Sequence, residues 1–136
     1  LNFPADKIPQ KWRSAGAGQC LGIDHSAISV ADAATSIAFY QALGLNVTAR
    51  SLNAGPEQDA LDGLSSVHVE VVALSPDAPT PHVELLCYQT SAHPGFAAHR
   101  SNDIACTRLV FEGAIAPQGI SDPDGHQLIF LPVEYL

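Results

Sequence analysis

The run GIDHSAISVADAATSIAFYQALGLNV, residues 22–47, constrains the fold more than any other part of the chain. Its first third alternates, with Ile28 and Val30 on one side and His25, Ala27 and Ser29 on the other, as a half-buried strand requires. Asp32 suits a helix N-cap, because its carboxylate can accept from the unpaired amides of a first helical turn. Ala34, Ile37, Ala38 and Leu43, with Phe39 or Tyr40 beside them, then make an apolar face at helical spacing. Gly44 offers the positive φ that closes such a helix. A strand, a helix and the start of a second strand therefore follow one another. The helix covers the Ile28 side, which leaves His25 on the opposite face.

The second strand extends over residues 45–52, and residues 53–63 read as a polar loop with Gly55-Pro56 as its breaker. Residues 67–74 alternate strongly, with Val67, Val69, Val71 and Ala73 against His68, Glu70, Val72 and Leu74. The proline-rich SPDAPTP is a turn. Residues 82–89 form the next strand, with Val83, Leu85 and Cys87 against His82, Glu84, Leu86 and Tyr88. The order β-α-β-β-β thus occupies residues 22–90. Beyond it, residues 104–112 are strand-like, and residues 113–119 are too short and too broken by Pro117 for a helix of ordinary length. DPDGH, from Asp122, is a turn signal, and residues 127–133 give the last strand. The only repeat is a shortened second copy of the first unit. Residues 1–20, with Trp12, form an irregular arm.

A chain of 136 residues suits one domain with a real core, and 46% hydrophobic against 15% charged content describes a globular one. The net charge of −8 opposes nucleic acid and anionic membranes, which leaves a small-molecule or protein partner. The sequence contains no apolar run of about 18 residues and no visible secretory signal. Cys20, Cys87 and Cys106 are odd in number and lack metal-binding spacing, so they read as reduced thiols of a cytoplasmic protein.

DHSAISV, then a helix ending FYQALGL, then PHVELLCY and DPDGHQLIFL, together resemble the vicinal oxygen chelate superfamily. That superfamily includes glyoxalase I, methylmalonyl-CoA epimerase, extradiol dioxygenases and the fosfomycin and bleomycin resistance proteins. The resemblance implies an α+β fold in which a βαβββ module forms a cupped mixed sheet. A single glyoxalase-like domain at 21–136 then holds a full module at 22–90 and a reduced second module at 102–134. It also implies a divalent metal (Zn, Ni, Mn or Fe), with one ligand from the first and one from the last strand of each module. His25 and Glu84 fall on those positions in the first module. In the second, the first strand offers Asp103, Ala105 or Thr107, and Ile129 stands where a glutamate is expected. Either that module has degenerated or part of it is absent from this sequence.

The residues lead to the same place independently. His25 and Glu84 lie opposite Val30 and Leu85, so both point away from the helix. A carboxylate between Val83 and Leu85 needs a cation, a donor or water. His68, Glu70 and His82 are expected to share the polar face of adjacent strands, as replacement metal ligands, as a general acid/base pair or as substrate contacts. Their plainer reading is the wet side of a sheet or a dimer contact. Arg108 is placed to pair with Glu84, Glu70 or an anionic substrate. Two functions follow. One is a metal-dependent lyase or isomerase of the glyoxalase type, with Glu84 or Glu70 as the base in enediolate-type chemistry. The other is a metal-free small-molecule binding protein of the bleomycin-resistance type. A homodimer is expected in either case, with the run 128–133 and the Trp12 arm as its contact surfaces.

Overall fold

The computed structural model describes residues 22–77, 81–89, 107–113 and 118–132. The arm with Trp12, Asp103, Cys20 and Cys106 lie outside these residues. Among these residues seven strands and two helices follow in the order β1 (His25–Val30), α1 (Ala33–Ala42), β2 (Asn46–Ala54), α2 (Pro56–Asp62), β3 (His68–Ser75), β4 (His82–Tyr88), β5 (Arg108–Glu112), β6 (Gln118–Ser121) and β7 (Gln127–Leu131). The first four strands form one sheet in the order β1-β4-β3-β2, and the last three form a second in the order β5-β7-β6. β1 runs parallel to β4 and β5 parallel to β7, and the other pairings are antiparallel. This is the expected α+β arrangement, a module of four strands followed by a reduced one of three. Among the described residues no helix is long and apolar enough to cross a membrane.

α1 begins where Asp32 accepts from Thr35 N at 2.7 Å, and the Thr35 side chain, together with this backbone bond, holds the Asp32 carboxyl below its ordinary range. It ends at Leu43, followed by Gly44 with φ of 95°. The face that α1 buries is Ala33, Ser36, Ile37 and Tyr40. The expected stripe is therefore rotated, and Ala34 and Ala38 are exposed. The reason is polar: Ser36 Oγ donates to Asp124 Oδ2 at 3.3 Å and Tyr40 Oη donates to Asp122 Oδ2 at 2.9 Å, so both residues can turn inward. Ile28, Val30, Val72, Leu74, Val83 and Leu85 meet this face from the first sheet, and Leu128 joins them from the second. Leu74, Leu85 and Leu128 are fully enclosed and contribute roughly 1.5–3 kcal/mol apiece.

α2 replaces the expected loop. Pro56 starts this helix at its first position, where a missing N–H does no harm, and Gly63 closes it with φ of 65°. The supposed breaker is a helix start. Asp59 fastens α2 to the chain ahead of β3, accepting from Val67 N at 2.8 Å and Ser66 N at 2.9 Å.

The turn at Asp122 has the expected form, joining antiparallel β6 and β7 with Gly125 N donating to Asp122 O at 3.1 Å. It is also the junction between the two sheets. The Asp122 carboxylate is 5% exposed and accepts from Tyr40 Oη, Asp124 N and His126 N. Asp124 accepts from Ala31 N at 3.1 Å, and His126 Nε2 donates to Ser29 O at 2.8 Å.

Tyr40→Phe removes a buried donor from a charged acceptor, so a loss of roughly 1.5–3 kcal/mol in unfolding free energy is expected in urea melts. Burial, reinforced by Asp122, pushes the Tyr40 hydroxyl well above its ordinary value. The folded chain then keeps a proton that the unfolded chain releases. That contribution is complete below about pH 10 and lost as pH rises beyond it. The Phe variant should show a shallower alkaline decline.

Candidate functional site

β1 and β4 lie side by side with His25 paired to His82 and Ala27 to Glu84. Directly paired residues leave a sheet on the same side, so His25, His82 and Glu84 all project from the face opposite α1. Ala27, with only a methyl group, leaves Glu84 room to lean toward β1. His25 Nε2 stands 3.5 Å from Glu84 Oε2, and His82 Nε2 stands 3.4 Å from Glu84 Oε1. One carboxylate thus addresses two imidazoles, with one oxygen for each. Behind His25, Asp24 Oδ2 is 3.1 Å from Nδ1, and Asp24 O accepts from His82 N at 3.0 Å. The donor atoms of Asp24, His25 and His82 all lie within 4.8 Å of one another, close enough to hold a metal ion together.

The charges in this cluster are unbalanced. Once Nδ1–H of His25 is given to Asp24, its Nε2 lone pair faces the Glu84 carboxylate, a second acceptor. Two acceptors at that range repel unless a cation, either a proton or a metal ion, stands between them. The side chains of Asp24, His25 and Glu84 are each about a quarter exposed, so the cluster is open to solvent on one side. His82 is less exposed, and its Nδ1 is enclosed without a partner among the described residues.

The surface next to the cluster is apolar. Glu84 is paired with Ala73 and Leu86 with Val71, which puts those side chains on the cluster's face. Farther along β4, Tyr88 shares that face, and burial, together with the charge of Asp62 at the end of α2, pushes its hydroxyl up. The polar cluster is thus set against Val71, Ala73 and Leu86.

Not every expected residue arrives there. The pairing of Glu70 with Cys87, and of Val72 with Leu85, puts Glu70 and His68 on the α1 side of the sheet. Glu70 instead meets Arg50 at 3.7 Å, and His68 Nδ1 lies 3.3 Å from Ser66 O. The expected grouping of His68, Glu70 and His82 on one face is thus corrected to His82 with His25 and Glu84. Arg108 is exposed on β5, and no ion pair joins it to Glu84 or Glu70 among the described residues. Ile129 is half-buried on β7 beside Val110. Asp103 lies outside the described residues. Asp24 went unnoticed in the sequence, although an acidic residue directly before a strand histidine was the available signal.

A βαβββ module with a histidine on its first strand and a glutamate on its last is now in hand, and the sequence match agrees with it. Residues 22–114 match the profile of the Glyoxalase/Bleomycin resistance protein/Dioxygenase superfamily. The chain belongs to this superfamily. A solved glyoxalase family protein from Bacillus cereus superposes with a TM-score of 0.69 at 18% identity, covering 87% of this chain and 98% of that one. That likeness is one of fold. No curated protein gives a significant match. Superfamily members often bind metal ions, and the Asp24–His25–His82 group is a possible site for one.

Opposite faces should respond differently to substitution. Glu70→Gln is expected to change stability by less than about 1 kcal/mol and to leave the imidazole NMR resonances of His25 and His82 in place. Glu84→Gln should move both sets of resonances.

Proposed function

We propose that this protein is a metal-assisted lyase or isomerase that acts on a small molecule through enediolate-type chemistry, with His25 and Glu84 as metal ligands. The observation that carries this reading is the approach of His25 Nε2 to Glu84 at 3.5 Å, with Asp24 behind the ring at 3.1 Å. A carboxylate that accepts from the far nitrogen of a ligating histidine fixes the tautomer that metal binding needs. The donor set, imidazole with carboxylate, suits Zn, Ni, Mn or Fe, so the residues fit the group the superfamily implies.

A divalent ion held there supplies Lewis acidity, which polarises a substrate oxygen and acidifies the neighbouring C–H. The chain's own residues do the remaining work. Asp24 orients His25. Glu84 stands on the face that receives the substrate, within reach of a proton to be taken and returned. Val71, Ala73 and Leu86 offer the carbon skeleton an apolar bed. Glu70, bound to Arg50 on the other face, has no part in this.

One observation favours a second reading, the metal-free binding protein of the bleomycin-resistance type. Ile129 and Val110 present apolar side chains where the second module is expected to supply a ligand. Metal analysis of protein purified without chelators separates the two. Near-stoichiometric transition metal that His25→Ala removes supports the enzyme, and metal-free protein that still binds aromatic ligands supports the alternative.

A cytoplasmic homodimer completes the proposal. Leu128 and Phe130 belong to the core, so the contact surface on β7 narrows to Ile129 and Leu131, beside the exposed Val110 of β5. Light scattering at micromolar concentration is expected to return twice the 14.3 kDa chain mass, and the monomer mass would refute the dimer.

A further inference from the structure

We infer that His82 is a third metal ligand, so that the β1–β4 strand pair alone carries a complete site of two imidazoles and one carboxylate. This rests on the proposed metal site at His25 and Glu84 and names the residue that completes it. The family resemblance assigns one ligand to each of four strands, and His82 is none of them.

Geometry supports the assignment first. Ligand atoms about 2.0–2.2 Å from one ion at roughly tetrahedral angles stand about 3.4 Å from each other. His25 Nε2 stands 3.5 Å from Glu84 Oε2 and His82 Nε2 stands 3.4 Å from Glu84 Oε1, so each imidazole faces its own oxygen of one carboxylate, and donor atoms of the two imidazoles lie within 4.8 Å of each other. Two imidazoles and both oxygens of that carboxylate can then converge on one cation. The parallel register produces this arrangement, because His25 and His82 are direct partners and Glu84 follows His82 by two residues on the same face.

Among the described residues, His82 Nε2 has only the long contact to Glu84, which leaves that nitrogen for a cation.

Among its described residues the second sheet offers Glu112, exposed at the end of β5, and little else in its place. Asp122 and Asp124 are bound to Tyr40, Ser36 and Ala31 at the α1 junction, and His126 donates to Ser29 O. Ile129 is apolar. A three-ligand shell built from one strand pair still leaves open positions for substrate, as catalytic metal sites require.

The test uses the full chain, stripped of metal and titrated with Co²⁺ in competition with a chelator, and separately loaded with Cu²⁺. The wild type should bind one Co²⁺, and pulsed electron-spin resonance of the Cu²⁺ form should count two coordinated imidazoles. His82→Gln should weaken Co²⁺ binding by about 100-fold or more and reduce the count to one, whereas Asp24→Asn, which acts through His25, should weaken binding by only about 10–100-fold and keep the count at two. One imidazole in the wild type overturns the inference whether or not the variant folds. Unchanged Co²⁺ affinity in folded His82→Gln, with binding abolished by His25→Ala, overturns the inference and leaves the His25–Glu84 reading standing. Loss in Asp103→Asn but not in His82→Gln assigns the third ligand to the second module instead. A wild type that binds no Co²⁺ overturns both.

Discussion

The site depends on the register between two strands that are far apart in sequence. β1 and β4 are parallel neighbours, and parallel strands cannot be joined by a tight turn. The chain between them makes α1, β2, α2 and β3 before it returns. With side chains alternating from face to face, a slip of one residue would carry His82 and Glu84 into the core and Val83 and Leu85 out of it. The register is held by that difference. Val83 and Leu85 lie under α1 with Ile28 and Val30, and the burial of those apolar groups fixes, on the reverse side, where the polar ones stand. The core positions the cluster without touching it.

The second half of the chain contributes through its turn. Asp122 carries its carboxylate into a buried position, which three hydrogen bonds make tolerable. Tyr40 supplies one of the three from α1, and Asp124 reaches back to Ser36 and Ala31. These bonds lock the helix that covers the first sheet to the hairpin of the second, and Leu128 fills the space beneath them. A reduced module therefore serves as a clasp on the first. The same bonds explain how a serine comes to lie on the buried face of α1.

Polarity is divided between the two faces of the first sheet. The α1 side has its own ion pair, Arg50 with Glu70, at the end of the sheet that the helix leaves bare. That pair is partly exposed and of little energetic weight. On the other side, Glu84 meets two imidazoles and, among the described residues, no lysine or arginine, and it lies against Ala73 and Leu86. A carboxylate whose nearby positive charge depends on protonation or on a bound ion is poised for chemistry. A carboxylate paired with arginine is already satisfied.

The sequence alone determined the elements whose signals are local. The Asp32 cap, the Gly44 stop, the Asp122–Gly125 turn and the opposite directions of His25 and Val30 were all legible there, because each rests on neighbours within a few residues. The helix α2 was legible as well, in a proline at its start and a glycine at its end, but those residues resemble a loop when read singly. Only the tertiary structure decided which face of β3 joins the site. Val69, Val71 and Ala73 on one side and Val72 and Leu74 on the other are equally apolar, so alternation within that strand could not say which side meets Glu84. The cross-strand register could, and it sent Glu70 and His68 to the α1 side while bringing His82 to His25. Alternation is a property of one strand, and a site is a property of the pairing between strands, which only the folded chain contains.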